Sequence, residues 1–267
     1  MTAETTAETT ADFVLEGVHQ EYRAGAPVLA AIDLTILSGQ HVAIVGANGS
    51  GKSTLLKMLD GLVFPTSGAI SAFGAPLTED ALEDPVYRRD FRSLVGFVFQ
   101  EADVQLFCSD AYDELAFGPL QLGLTREEVE RRVHEAAQQL RIEQVLDRPP
   151  YTLSGGEKKR VAIASVLTMQ PHVLLLDVLE DWKREGRTVV MATHDLSAAA
   201  ESADRIVVLS EDHTVVADGT PEEVLLQREL LLAVNLIHEH THRHASTAHK
   251  HAHAHGPGAD PDLAHGH

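Results

Sequence analysis

Short runs of apolar and β-branched residues alternate with helical patterns along most of the chain. A helix is predicted over Arg126–Leu140, where apolar positions recur every three or four residues. Strand runs separated by helices indicate an α/β fold built on a mostly parallel sheet with helices on both faces. The runs that predict strands are Val42–Val45, Leu94–Phe99, Val173–Leu176, Thr188–Ala192 and Arg205–Leu209.

The two ends of the chain differ from its centre. Residues 1–12 contain the polar repeat TAETTAET, which predicts a disordered leader. The globular domain is expected over residues 13–235. Ten of the sixteen histidines lie in the last thirty residues, together with Gly and Pro and almost no large apolar side chains. Such a segment cannot bury a core, so residues 236–267 are predicted to form a disordered tail.

Charge and composition exclude several classes of function. The 267 residues carry 21 Lys and Arg against 40 Asp and Glu, a formal net charge of −19. This charge repels phosphate backbones and anionic lipids, which argues against nucleic acid as a partner. The single cysteine, Cys108, favours a reducing cytosol. No apolar stretch approaches the roughly 18 residues of a membrane span. If the protein acts at a membrane, we expect another subunit to anchor it.

A glycine-rich segment predicts a phosphate-binding loop. It matches the pattern G-x-x-x-x-G-K-[ST], follows a predicted strand and leads into the helical pattern Ser53–Leu62. Its backbone N–H groups can surround a phosphate chain. Lys52 supplies a cation, and Ser53 supplies a hydroxyl for Mg²⁺. The expected nucleotide-binding residues are Gly46, Ala47, Asn48, Gly49, Ser50, Gly51, Lys52, Ser53 and Thr54.

Three later segments carry further candidate chemistry. Leu153–Glu157 places a serine and two glycines before a helical run, which offers a hydroxyl and bare amides to an anion or simply caps the helix. Asp177 and His194 each follow a buried strand run. Side chains at the carboxyl ends of parallel strands point into the crevice where such sheets bind ligands, although each could be an ordinary strand-end cap.

In this order, the motifs resemble those of the nucleotide-binding subunit of an ABC transporter over roughly residues 13–235. The resemblance implies a P-loop cassette with a small antiparallel β subdomain and an inserted helical subdomain at about 101–170. It implies ATP as the nucleotide, with Mg²⁺ held by Ser53, Gln100 and Asp177. His194, Asp177 and Gln100 would serve hydrolysis, and Tyr22 would stack on adenine. The remaining nucleotide-binding residues that it implies are Ser154, Gly155, Gly156 and Glu157.

The segments Val95–Phe107 and Glu114–Leu124 are similar to the energy-coupling-factor branch, particularly its cobalt and nickel importers. In that family, two ATP-binding subunits pair head-to-tail, and the signature of each one, here Leu153–Glu157, closes on the nucleotide of the other. The segment after Gln100 docks on an integral membrane subunit. The resemblance therefore implies two kinds of partner, membrane subunits and a second ATP-binding subunit, in a homodimer or a heterodimer. It also implies a location at the cytoplasmic face of the cell membrane.

The chain departs from the family pattern after Asp177. A glutamate that activates the attacking water normally follows, but here the next residue is Val178, and roughly sixteen residues that include the D-loop are missing. Glu180 is two positions away and is not assigned the role. The remaining connection, Val178–Arg187, is near the lower limit of about 10–12 residues for a parallel crossover, so one short helix is expected there. Losing a general base typically slows the reaction by roughly 10²–10⁴.

The tail alternates histidine with other residues. Such imidazoles can converge on a transition-metal ion such as Ni²⁺, Co²⁺ or Zn²⁺, although a solvated tail with incidental metal affinity fits the same residues. The expected ligands are His238, His240, His242, His244, His249, His251, His253 and His255.

Three functions compete on this sequence. The first is an ATPase subunit that couples ATP binding and hydrolysis to the import of cobalt or nickel. The second is a hydrolysis-deficient ATP-binding protein that regulates or buffers metal, which the missing glutamate favours. The third, a soluble ABC-type ATPase acting on DNA or ribosomes, is opposed by the net charge of −19 and by the absence of a second cassette.

Overall fold

A computed structural model describes residues 10–23, 25–177, 186–244 and 247–254, with side chains as far as residue 237. The strands are β1 Ala11–Arg23, β2 Ala26–Leu37, β3 His41–Gly46, β4 Ser67–Ala72, β5 Ala75–Pro76, β6 Val95–Val98, β7 Val173–Leu176, β8 Thr188–Thr193, β9 Arg205–Leu209, β10 Val215–Gly219, β11 Ile237–His244 and β12 Thr247–Ala254. The helices are α1 Lys52–Leu59, α2 Glu79–Glu83, α3 Pro85–Leu94, α4 Ala102–Gln105, α5 Ala111–Gln121, α6 Arg126–Leu140, α7 Gly155–Leu167, α8 Leu196–Ser202, α9 Pro221–Leu225 and α10 Arg228–Ala233.

The central sheet has six strands in the order β10-β9-β3-β8-β7-β6. The pairings from β9 to β6 are all parallel, and only the edge strand β10 runs antiparallel to its neighbour. The predicted mixed α/β fold with a mostly parallel sheet is therefore confirmed. Because the carboxyl ends of parallel strands meet at one edge, the segments that follow β3, β6, β7 and β8 are brought together there.

The shortened connection after Asp177 does not prevent the sheet from closing. Strands β7 and β8 lie side by side in parallel, with Val173 opposite Thr188 and Leu176 opposite Met191. Residues 178–185 lie outside the described part of the chain, and the short helix expected there stays a prediction.

A second, antiparallel sheet has the order β2-β1-β4-β5 and corresponds to the expected small β subdomain. Its apolar face packs with α1 and the central sheet in one buried cluster that includes Phe13, Ile36, Ile44 and Leu56. Strand β1 begins at Ala11, two residues before the predicted start of the domain, because Ala11 already pairs with Leu37. Residues 1–9 of the predicted leader lie outside the described residues.

Helices α4 to α7 occupy the region in which a helical subdomain is expected. Helices α5 and α6 form their own buried cluster around Leu115, Val133 and Ala137. Helix α7 contributes Val161 and Ala164 to this cluster and Ile163 to the cluster under the central sheet. It therefore links the helical part of the molecule to the sheet.

Part of the tail that was expected to be disordered has regular secondary structure. The backbone of β11 and β12 forms a two-stranded antiparallel hairpin within residues predicted to be disordered. The composition of the tail excludes a packed core, but a hairpin satisfies backbone hydrogen bonds without one. Residues 255–267 lie outside the described part of the chain. Among the described residues, no helix combines the length and the apolar character needed to cross a membrane.

Candidate nucleotide site

The loop between β3 and α1 depends on two glycines at points of close backbone approach. Gly51 has φ of +105°, and a Cβ atom there would lie 2.3 Å from the carbonyl oxygen of Val28. A Cβ atom on Gly46 would lie 2.5 Å from Oγ of Ser50. Neither position accepts a side chain without a shift of the surrounding atoms, so this loop conformation requires glycine at both.

Lys52 is held at the mouth of this loop. Its Nζ donates to the carbonyl oxygens of Gly46 and Ala47, at 2.9 and 2.8 Å. Burial lowers the pKa of Lys52, and the neighbouring Asp177 partly opposes that shift. The ammonium group therefore already lies beside the loop. An anionic ligand would replace the two loop carbonyls as its hydrogen-bond acceptor.

Ser53 and Asp177 meet at the end of β7. Oγ of Ser53 donates to Oδ1 of Asp177 at 3.0 Å, across 124 residues of sequence. Burial raises the pKa of Asp177, while the hydrogen bond from Ser53 and the charges of Lys57 and Lys52 lower it. With Gln100 beside them, a hydroxyl, a carboxylate and an amide oxygen form the all-oxygen donor set that suits Mg²⁺.

These groups line one cleft of about 350 Å³ at the carboxyl edge of the central sheet. The cleft brings together the following predicted site residues: Asn48, Gly49, Gly51, Lys52, Ser53, Thr54, Gln100, Asp177 and His194. Gly46 and Ala47 lie behind it as the acceptors of Lys52. Ser50 is fully buried, and its Oγ has no hydrogen-bond partner among the described residues.

Tyr22 lies beside the cleft on β1. Its hydroxyl is 3.5 Å from Oγ1 of Thr54, and the residue is 60% exposed. An exposed ring next to a phosphate-binding helix has the placement that stacking on a base requires.

The signature segment does not line this cleft. Ser154 caps α7 in a capping box: its Oγ accepts from the backbone N–H of Glu157, whose carboxylate accepts from the backbone N–H and Oγ of Ser154. These hydrogen bonds lower the pKa of Glu157. Ser154, Gly155 and Gly156 are nevertheless exposed. Within one chain, therefore, the two halves of the predicted nucleotide site are apart.

Three residues of the cleft belong to none of the predicted motifs: Val28, Ala192 and Thr193. Thr193 directly precedes His194 at the end of β8, and its Oγ1 accepts from the N–H of Asp195, so its position could have been inferred. Val28 carries no such signal, because only the packing of β2 on the loop brings it there. Val178 and Glu180 lie outside the described residues.

Comparison with known proteins settles the family. The sequence pattern described as "ABC transporter" matches residues 29–178, more than half of the chain. The chain belongs to the ABC transporter family. Family membership implies binding of ATP and Mg²⁺, and the cleft contains groups suited to both.

This ABC cassette is 48% identical to the nickel import ATP-binding protein NikO of Rhodobacter capsulatus, over 84% of this chain and 95% of that one. It is 38% identical to the energy-coupling factor transporter ATP-binding protein EcfA of Methanocaldococcus jannaschii, over 80% and 81% of the two chains. Among solved structures, cbiO1 from Clostridium perfringens, part of the ABC transporter complex cbiONQ, superimposes with a TM-score of 0.70 at 33% identity. That match covers 85% of this chain and 95% of the other. The resemblance inferred from the motifs is confirmed, and so is the P-loop cassette fold.

Proposed function

We propose that the chain is the ATP-binding subunit of an energy-coupling-factor transporter that uses ATP to import a transition-metal ion, nickel or cobalt. The cleft carries the proposal, because it joins Lys52, Ser53, Gln100, Asp177 and His194 from four segments of sequence. The names of the nickel import and energy-coupling factor relatives support the choice of transport class.

Each group has a role that follows from its position. Lys52 and the amides of residues 46–53 bind the phosphate chain, and Tyr22 stacks on the base. Ser53, Gln100 and Asp177 would hold Mg²⁺, which when bound neutralises charge that develops on the phosphates. His194, at the end of β8, faces the same cleft and orients the terminal phosphate and the attacking water.

A second ATP-binding subunit completes the site. Ser154, Gly155 and Gly156 are exposed at the start of α7 and lie outside the cleft of their own chain. The bare amides of a helix N-terminus bind anions, so these residues would close on the phosphates held by the partner subunit. This arrangement agrees with a head-to-tail pair, either a homodimer or a heterodimer.

An exposed apolar patch fits the integral membrane subunits. Val104, Phe107, Phe117 and Leu120 are all exposed, and the rings of Phe107 and Phe117 meet edge to face at 5.0 Å between centroids. The patch follows Gln100 closely in sequence, so a subunit seated on it would touch the segment that leaves the cleft. Because a net charge of −19 repels a bare lipid surface, we place the protein at the cytoplasmic face of the membrane through this contact.

Titration calorimetry with Mg·ATP tests the ATP site. The wild type should bind, and Lys52→Ala should lower affinity about 10- to 100-fold, because a charge-assisted contact to phosphate is lost. Lys57→Ala is the matched control: it removes a positive charge near Asp177 from the same helix but does not line the cleft. Equal losses in both variants, or no loss in Lys52→Ala, would contradict the assignment.

A hydrolysis-deficient, regulatory or metal-buffering protein is the second candidate. Val178 stands where the family places its catalytic glutamate, and the family pattern stops matching at residue 178. The alignment with NikO spans 244 positions, yet 84% of 267 residues is about 224, so about 20 aligned positions have no counterpart here. Little phosphate release in a single-turnover assay supports this candidate. Robust release that is lost in Glu180→Gln would identify a substitute base and contradict it.

We also propose that the tail binds a transition metal, Ni²⁺, Co²⁺ or Zn²⁺. The backbone register of the hairpin supports it: His238 is opposite His253, His240 is opposite His251, and His242 is opposite His249. Directly opposed residues of an antiparallel pair share a face, and so do residues two apart. These six histidines therefore occupy one face.

A further inference from the structure

The short helix that follows Gln100 is tied to the strand before it by one side chain. Oε1 of Gln105 accepts from the backbone N–H of Phe99 at 3.2 Å. The same amide, through Nε2, donates to the carbonyl oxygen of Ala162 at 2.7 Å and lies 3.3 Å from Oγ of Ser165. Gln105 thus joins the residue next to Gln100 to the third turn of α7.

The Gln105 amide accepts a hydrogen bond at one end of this bridge and donates one at the other. The acceptor half satisfies a backbone N–H just beyond the end of β6, and the donor half reaches a carbonyl of the fully buried residue Ala162. Removing the Gln105 amide would cost most at Phe99, whose partly buried backbone N–H would lose this acceptor, whereas the carbonyl oxygen of Ala162 would keep the hydrogen bond from Oγ of Ser165 at 2.9 Å.

Two other contacts from residues 101–108 are weaker candidates for a link between the end of β6 and α7. Asp103 forms an ion pair with Lys158 on α7, but the Asp103 side chain is 75% exposed, so solvent screens the attraction. Glu114 accepts from the backbone N–H groups of Phe107 and Cys108. These hydrogen bonds tie residues 107 and 108 to α5 and not to α7. Gln105 connects the strand end and α7 directly.

We propose that Gln105 is a positioning residue that couples nucleotide contact at Gln100 to the placement of the signature, Ser154–Gly156, at the start of α7. When Gln100 is drawn toward Mg·ATP, Phe99 moves with it. The amide of Gln105 transfers that displacement to Ala162, and hence to the helix whose first turn faces the partner subunit. This inference rests on the proposed ATP site.

Hydrogen–deuterium exchange of the full chain, with and without Mg·ATP, tests the coupling without requiring turnover. In the wild type, ATP should slow exchange both in the loop peptide at 46–53 and in the α7 peptide at 154–167. Gln105→Glu keeps an acceptor for Phe99 but turns a carboxylate oxygen toward the carbonyl of Ala162. We expect it to preserve the response of the loop and to reduce the response of α7 about fivefold, the equivalent of one hydrogen bond.

Two further variants separate coupling from stability. Gln105→Leu removes both halves of the bridge and should abolish the α7 response. Ser165→Ala removes the 3.3 Å contact and the hydrogen bond from Oγ of Ser165 to the carbonyl oxygen of Ala162 at 2.9 Å, but it keeps both halves of the Gln105 bridge and should give the α7 response of the wild type. The thermal midpoint of each variant is measured in parallel, since a purely structural residue would lower the midpoint and leave the ATP-induced difference intact.

An unchanged α7 response in Gln105→Glu and Gln105→Leu, or no α7 response in the wild type, overturns the inference while the ATP site stands. If the wild-type loop peptide itself shows no protection, both the ATP site and the coupling are wrong.

Discussion

At the residue scale, the nucleotide cleft depends on backbone positions that leave no room for a side chain. Gly51 combines a left-handed φ with a near contact to the carbonyl of Val28, a residue that no motif points to. Lys52 and Ser53 directly follow Gly51 in the chain, so a steric change at Gly51 should displace both and have a functional effect.

We predict that Gly51→Ala lowers both ATP affinity and stability. A Cβ atom 2.3 Å from the Val28 oxygen forces the loop to move, which should lower affinity at least about tenfold and cost about 1–3 kcal/mol of unfolding free energy. Calorimetry and urea denaturation measure the two effects. Gly39→Ala is the control, because Gly39 also has a left-handed φ, of +76°, but a Cβ there meets nothing within 4 Å. Similar effects on ATP affinity in both variants would contradict the steric explanation.

Asp60 gives a pH prediction. Burial raises its pKa to about 6, although Arg92 opposes the shift through an ion pair of 2.8 Å. Because the folded pKa lies above the unfolded value of 3.8, this group stabilises the fold fully below pH 3.8 and loses that contribution as pH rises through about 6.

Between pH 4.5 and pH 7.5, the wild type should therefore lose about 2 kcal/mol more unfolding free energy than Asp60→Asn. Denaturant titrations at the two pH values measure this difference. Asp80→Asn, which removes an exposed carboxylate, should keep the pH dependence of the wild type. Parallel pH profiles of unfolding free energy for the wild type and Asp60→Asn would show that burial does not raise the pKa of Asp60.

At the scale of elements, α7 joins two functions at its opposite ends. Its first turn presents the signature, and its later turns pack into two buried clusters and receive the amide of Gln105. The capping box at Ser154 stabilises the end that carries the signature.

We predict that Ser154→Ala separates these functions. Loss of the cap should lower unfolding free energy by about 1 kcal/mol. Affinity of the isolated chain for ATP should not change, because Ser154 does not line its own cleft. Denaturation and calorimetry on the same preparation test both expectations. A large drop in ATP affinity would mean that the site is complete within one chain.

Several elements follow from local pattern alone. Val173–Leu176, Arg205–Leu209 and Arg126–Leu140 have the predicted bounds, because continuous apolar runs and a three-to-four spacing report burial directly. The helix predicted over Ser53–Leu62 ends instead at Leu59, since Gly61 adopts a left-handed φ of +65° that a helix does not continue. The phosphate-loop residues of the cleft could also be predicted from sequence, because the spacing of the glycines, Lys52 and Ser53 is that of the loop pattern.

Contacts between distant segments could not be predicted in this way. Nε2 of His172 lies 3.2 Å from Oδ1 of Asp12 and 3.1 Å from Oγ of Ser38, in a polar cluster between the two sheets. No local spacing in the sequence predicts this cluster. The bond between Ser53 and Asp177 spans 124 residues, and the motif pattern alone says that both face a nucleotide, not that they touch. Strand order decides such contacts, and strand order is a property of the whole sheet.

At the scale of the whole molecule, an acidic cassette carries a histidine-rich tail beyond its last nucleotide motif. The tail and the cleft are different in chemistry: imidazole groups bind soft and borderline metals, whereas the oxygen donors of the cleft suit Mg²⁺. The two binding functions should therefore respond to different perturbations.

We predict that deletion of residues 238–267 abolishes Ni²⁺ and Co²⁺ binding and leaves ATP affinity intact. In the full chain, metal binding should fall as pH drops from about 7.5 to 5.5, because protonated imidazole does not bind metal and its reference pKa is about 6.5. Equilibrium dialysis with each metal measures the stoichiometry. Full metal uptake by the truncated chain would place the metal site within the cassette itself.

The sheet order has a consequence for synthesis of the chain. Strand β3, which leads into the phosphate loop, has β8 and β9 as its two neighbours, and His41 pairs with Val189. At roughly 5–20 residues per second, a ribosome needs about 7–30 s to add the 147 residues that lie between these two. Throughout that interval the nascent strand has no neighbour in its own sheet. ATP therefore cannot stabilise this fold until translation has passed β8.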